Sequence, residues 1–162
     1  VLTEYYQAVA TYATNNGLLD SGGDWYNLTP EIELAALAAS AGSYFQNLAK
    51  RAEADALIDL VIAKNGSYEI LSTTTSTDMT NQKNAWIDAN LTGARAPAAR
   101  NYATGFNKGP YGGANKLLID DRLTYVNQFE AAGGKGFKYF ESGGIRRFGG
   151  REASVGPVSL IS

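Results

Sequence analysis

Cysteine and histidine are both absent from this chain of 162 residues. Without cysteine the chain can form no disulfide, has no thiolate nucleophile and offers no thiolate ligand to a metal. Without histidine it has no imidazole to act as a base near neutral pH. These absences fit a non-catalytic role, and the sequence predicts neither an enzyme nor a bound cofactor or metal.

Long apolar runs are missing as well. Unbroken apolar stretches, such as Leu60 to Ala63, fall far short of the roughly eighteen residues that a membrane span needs, so no span is expected. The chain also lacks an initial methionine and begins at Val1. This predicts a processed chain, as in a virion, an organelle or a secreted protein, and leaves the compartment open.

What the chain does contain is typical of one globular domain, with 44% apolar and 19% charged residues. Its charge is unevenly distributed. Residues 1–132 carry nine Lys and Arg against fourteen Asp and Glu, whereas residues 133–162 carry five against two and hold eight of the eighteen glycines. We therefore divide the chain into an acidic body, residues 1–132, and a basic, aromatic, glycine-rich C-terminal arm, residues 133–162.

Helical spacing of apolar residues dominates the body and predicts a mainly α fold, a single domain of four to six helices. The first helix is expected to begin with Thr3 as its N-cap, and the second at Thr29-Pro30-Glu31. Apolar spacings of three and four then continue to Lys64, with a break or kink expected at Ala41-Gly42-Ser43.

The second half of the body is less regular. The β-branched and hydroxyl-rich run from Ser72 to Thr77 fits either a short strand or a solvated loop. A helix capped by Asp78 is expected next, followed by a short alanine-rich helix from Pro97 to Thr104. A last helix is expected from Ala114 to Ala132, ended by two glycines.

The arm alternates bulky side chains with cations on a pliable backbone, a composition favoured at protein interfaces. It is too short and too rich in glycine to bury a core of its own, so we expect it to become ordered against another surface. The predicted contact residues are Phe137, Tyr139, Phe140, Arg146, Arg147, Phe148, Arg151 and Leu160. Alternatively, residues 137–140 and 145–148 form a short β-hairpin that folds back on the body.

Two further patterns bear on chemistry. Asp55 and Asp59 lie one helical turn apart, and Asp120 and Asp121 are adjacent, so either pair could supply acid and base groups. Solvated helix faces produce such pairs routinely. The glycine-rich runs at residues 105–109 and 133–136 resemble phosphate-binding loops but lack the required spacing, and flexible linkers explain them better.

The leading hypothesis is a structural or linker subunit of a larger assembly, a virion-like particle or an organellar complex, whose arm docks on neighbouring protein subunits. A nucleic-acid-binding accessory protein is the alternative, because the segment from Arg146 to Arg151 resembles an arginine-glycine segment that stacks on bases. A small hydrolase that uses only carboxylates is a further alternative.

Overall fold

The computed structural model of the chain describes residues 1–18, 29–40 and 42–139. Its helices are α1 (Tyr5–Asn15), α2 (Pro30–Ala39), α3 (Ala54–Asn65), α4 (Thr77–Asn90) and α5 (Leu123–Ala131). Its strands are β1 (Glu69–Thr73), β2 (Ala99–Ala103), β3 (Leu117–Asp120) and β4 (Lys135–Lys138). Short 3-10 turns lie at Phe45–Asn47, Gly93–Arg95 and Gly109–Tyr111.

The helices of the first third follow the sequence closely. Thr29 caps α2 as predicted, since its hydroxyl accepts a hydrogen bond from the Ile32 amide at 3.4 Å. The expected interruption is confirmed, because α2 ends at Ala39 and α3 begins only at Ala54. The cap predicted at Thr3 is wrong: Glu4 precedes α1 and makes no capping bond, while Thr3 forms an isolated β-bridge to Lys50.

A hydrophobic core lies between α3 and α4, and it joins the helical part of the chain to β1. Its buried members are Leu48, Ile58, Trp86, Ile87 and Leu91, with Ile70 of β1 packed against them. The Trp86 indole donates a hydrogen bond to the Leu48 carbonyl at 2.8 Å. The predicted cap of α4 is wrong by two residues, because Ser76, not Asp78, accepts from the Met79 amide.

The second half of the chain forms two strand–helix–strand units. β1, α4 and β2 make the first, in which the two strands pair in parallel from Glu69 opposite Ala99 to Thr73 opposite Ala103. β3, α5 and β4 make the second, with Leu117 opposite Lys135 at the start of the parallel ladder. Each helix is the crossover that two parallel strands require.

Two helices expected from the sequence are therefore wrong. The segment from Pro97 to Thr104 contains β2, because pairing with β1 outweighs the helical preference of its alanines. The segment from Ala114 to Ala132 divides into β3 and α5, and the apolar run Leu117–Ile119 belongs to the strand. The run from Ser72 to Thr77 is divided: Ser72 and Thr73 end β1, Thr74 to Ser76 form no strand, and Thr77 begins α4.

The mainly α prediction thus holds only roughly, since five helices accompany four short parallel strands in the described part of the chain. β4 lies inside the segment predicted to be the arm and pairs with β3. The hairpin predicted for residues 137–140 and 145–148 extends beyond the described residues. No helix within residues 1–18, 29–40 and 42–139 has both the length and the apolar character to cross a membrane.

Candidate functional site

One lysine, Lys108, lies in the loop after β2 and joins β1 to the carboxyl end of β3. Its ammonium group donates to the Leu71 carbonyl in β1 at 2.9 Å and to Oδ2 of Asp120, the last residue of β3, at 2.5 Å. In sheets of parallel strands, ligands bind beyond the carboxyl ends of the strands. We therefore take this edge as the candidate site.

Lys108 and Asp120 form a buried ion pair, because each is only 5% exposed. The second carboxylate oxygen of Asp120 accepts from the Arg122 amide at 2.8 Å, and the Lys108 ammonium lies 4.7 Å from the centroid of the Tyr125 ring. Two buried charges persist only where partners satisfy them in this way. The pair is fixed in place and couples the loop after β2 to the end of β3.

Asp121 follows directly and is the second carboxylate at this edge. Burial opposes its ionisation, but the Val1 ammonium at 3.6 Å, with Lys108 and Lys138, outweighs burial and holds the pKa of Asp121 below its ordinary value. Asp121 is therefore ionised near neutral pH. Its backbone carbonyl also accepts from Lys138 at 2.6 Å.

A second lysine, Lys83 of α4, points at the same edge. Its ammonium donates to the Ser72 hydroxyl at 3.0 Å and to the Thr73 carbonyl, and it lies 4.7 Å from the centroid of the Phe45 ring. Burial, followed by repulsion from Lys108, lowers the pKa of Lys83 to about 8. Within the residues that the structure describes, Lys83 has no carboxylate partner.

Two threonines complete the edge. Thr74, which follows β1, is 7% exposed; its hydroxyl bonds to that of Thr80 at 2.7 Å and donates to the Ser76 carbonyl at 2.9 Å. The Thr73 hydroxyl oxygen is buried without a hydrogen-bond partner in the described part of the chain. An unsatisfied buried hydroxyl costs about 1–3 kcal/mol, so a ligand that supplies its partner would be stabilised.

The structure separates the carboxylates that the sequence offered as catalytic pairs. Asp55 and Asp59 lie on α3 and are held by Arg95, which contacts Asp59 at 2.7 Å and Asp55 at 3.1 Å. They form an ordinary surface ion network. Asp120 and Asp121 lie at the strand edge beside Lys108 and are the pair with a setting suited to chemistry.

Two of the eight predicted partner-binding residues fall within the described residues. Phe137 lies in β4, and Tyr139 follows it, with its hydroxyl donating to Glu53 at 3.0 Å and its amide to the Asp120 carbonyl at 2.7 Å. Both are partly buried on their own chain. Phe140, Arg146, Arg147, Phe148, Arg151 and Leu160 lie outside the described residues.

Sequence reasoning missed Lys83, which is unremarkable in its local sequence. It set Lys108 aside with the run at residues 105–109, because that run lacks the spacing of a phosphate-binding loop. The usable signal was the order of the elements. A strand-like run followed by a helix and another strand-like run indicates two parallel strands whose carboxyl ends lie together. This order occurs twice in the second half of the chain, and Asp120 ends the first strand of the second unit. This pattern could not be recognised, because the residues of β2 and β3 were predicted to be helical.

Comparisons with protein-family models, with curated proteins and with solved structures found no significant match to this chain. Among the described residues, no group of three or more acidic side chains is placed to hold a metal ion. The site must therefore be interpreted from its own geometry.

Proposed function

We propose that this chain binds a phosphate group of a small molecule at the carboxyl ends of β1, β2 and β3. The observation that carries the proposal is Lys83, a largely buried cation that has no carboxylate partner among the described residues and that sits beside the second buried cation, Lys108. A bound anion would satisfy Lys83 and relieve the repulsion between the two ammonium groups.

The other groups at this edge support an oxygen-rich anion. The Thr73 hydroxyl is buried and unsatisfied in the described structure, and a phosphate oxygen could accept its hydrogen bond. Lys83, Lys108 and Lys138 outnumber the two carboxylates Asp120 and Asp121 at the site. Phosphate, with several strong acceptor oxygens, suits such a set of donors.

The test is a titration with inorganic phosphate at pH 7 and low ionic strength, followed by calorimetry. The variant Lys83→Met should weaken binding roughly tenfold or more, because a hydrogen bond to a charged group contributes about 1.5–3 kcal/mol. The matched control Lys64→Met removes an exposed lysine from the end of α3 and should bind as the unaltered chain does. Equal binding by both variants would refute the proposal.

Hydrolysis of a phosphate ester is the second candidate function, because Asp120 and Asp121 adjoin the proposed anion site. Asp120 is committed to Lys108, which leaves Asp121 as the carboxylate for the chemistry. The assay is turnover of p-nitrophenyl phosphate with and without added Mg²⁺. For a hydrolase, Asp121→Asn should abolish turnover and Asp59→Asn, on the surface of α3, should preserve it; no turnover in any condition rejects this candidate.

The assembly hypothesis stays a prediction, as does the nucleic-acid alternative, because both depend on residues beyond Tyr139. A chain ending at Tyr139 keeps β4 and removes six of the eight predicted contact residues. If the arm docks on other subunits, this truncation should lose the native particle. Unchanged co-purification with the same partners would contradict docking by the arm.

A further inference from the structure

β1 has one paired edge and one unpaired edge. It hydrogen-bonds to β2 through its even-numbered residues: the Tyr68 carbonyl accepts from Ala98, and the Thr74 amide donates to Ala103. Because backbone groups alternate in direction along a strand, those of Glu69, Leu71 and Thr73 face the other way. That edge has no neighbouring strand in the described part of the chain.

β3 has the same arrangement. The Lys116 carbonyl accepts from Lys135 and the Asp120 carbonyl accepts from Tyr139, so the even-numbered residues face β4. The backbone groups of Leu117 and Ile119 therefore point away from β4. They too have no neighbouring strand within the described residues, and the Leu117 side chain is 61% exposed.

The open edge of β1 lies close to the carboxyl end of β3. One ammonium group, that of Lys108, reaches both the Leu71 carbonyl and the Asp120 carboxylate, and the Leu71 side chain packs against the cluster of Leu118, Tyr125 and Phe129. Lys108 therefore joins the middle of β1 to the last residue of β3. Nevertheless, β1 and β3 belong to separate two-stranded sheets.

Lysine side chains occupy the place of missing backbone donors on the open edge of β1. Lys108 donates to the Leu71 carbonyl and Lys83 to the Thr73 carbonyl. In a complete sheet, backbone amides of a neighbouring strand fill both positions. Two isolated parallel pairs are also unusual, because parallel sheets gain their stability from being larger and covered on both faces.

We infer that β1 and β3 flank the position of one further parallel strand, and that an extended partner segment with an acidic residue at its carboxyl end fills it. One strand between two others requires about 10 Å from neighbour to neighbour. The segment should be apolar on both faces, as strands inside parallel sheets are. The added strand displaces Lys83 from the Thr73 carbonyl and Lys108 from the Leu71 carbonyl. Its acidic residue would then pair with Lys83, while Lys108 keeps its ion pair with Asp120.

The test uses the chain as it stands and residue-resolved amide hydrogen exchange. Without a partner, the amides of Leu71, Thr73 and Ile119 should exchange at least tenfold faster than those of Ser72 and Leu118. Equal protection of the two sets would overturn the inference. Protection of the odd-numbered amides that grows with protein concentration would also overturn it, since a second copy would then be the occupant.

The probe is a synthetic peptide with a solubilising lysine, four β-branched apolar residues and a final aspartate. At millimolar concentration it should slow exchange at Leu71, Thr73 and Ile119 at least tenfold. The matched peptide with alternate amides N-methylated should not, because it lacks the donors of one edge. No change with either peptide, or the same change with both, would refute strand addition.

Replacing the peptide's aspartate with asparagine isolates the charge. The asparagine peptide should bind several-fold more weakly, and equal affinity would refute the pairing with Lys83. The inference rests on the backbone edges and not on the proposed phosphate site. Peptide protection without phosphate binding would leave the strand position standing and reject the proposed function, and the reverse result would do the opposite.

Discussion

The strongest quantitative prediction concerns Lys83, whose burial should make the stability of the whole chain depend on pH. Its pKa is lowered from 10.5 to about 8 in the folded state. One pKa unit corresponds to about 1.4 kcal/mol, so keeping Lys83 charged costs the fold roughly 3 kcal/mol. Between pH 8 and 10.5 the unfolded chain binds more protons, so stability rises with pH through that window.

Lys83→Met should remove this cost. The substitution also removes the hydrogen bonds to the Ser72 hydroxyl and the Thr73 carbonyl, each worth about 1.5–3 kcal/mol because the donor is charged. The free energy of unfolding at pH 7 should therefore stay nearly unchanged or fall by up to about 3 kcal/mol. The rise in stability above pH 8 should disappear. Lys64→Met is the control, since this lysine is exposed and should leave the pH profile unchanged.

The assay is urea unfolding at intervals from pH 7 to 9, below the ordinary tyrosine pKa of about 10. The unaltered chain should gain about 1.3 kcal/mol across this range. If the free energy of unfolding does not change with pH and is the same for the Lys83→Met variant, Lys83 is not buried without a compensating negative charge. It would then remove the observation on which the phosphate proposal rests.

Two further substitutions test the packing of the strand units. Lys108→Met leaves Asp120 buried without its partner and should lower the free energy of unfolding by about 3–5 kcal/mol, measured with denaturant. The double variant that also carries Asp120→Asn should recover part of that loss. No recovery would mean that the broken ion pair does not cause the loss of stability. Gly136→Ala places a Cβ 2.4 Å from Cγ1 of Val126 and should destabilise the chain by about 1–3 kcal/mol. The control Lys135→Ala, on the exposed side of β4, should be nearly neutral. Equal effects of the two substitutions would contradict the close approach of β4 to α5.

The sequence predicts the first half of this fold better than the second for a definite reason. Thr29-Pro30-Glu31 and the break before α3 are local signals, which act through bonds between residues three or four apart. β2 has no comparable local signal. Ala99 to Ala103 becomes a strand because β1, some thirty residues earlier, offers an edge to pair with.

Part of the candidate site could be predicted from the sequence. Asp120 and Asp121 stand out as adjacent carboxylates after an apolar run, and the structure places both at a strand end. Lys83 could not be found in that way, and Lys108 was set aside because the run at residues 105–109 lacks the spacing of a phosphate-binding loop. Their importance comes from burial and from each other, and both properties appear only once α4 and the loop after β2 are packed against β1 and β3.

The two lysines also link the phosphate site to the strand position. A buried side-chain ammonium that donates to a backbone carbonyl is less favourable there than a backbone amide, because burying its charge carries a desolvation cost. Lys108 offsets this cost with Asp120, but Lys83 has no equivalent carboxylate in the described structure. An anion or an acidic strand end would each supply one, so the lowered pKa of Lys83 should return toward its ordinary value only when such a ligand is bound.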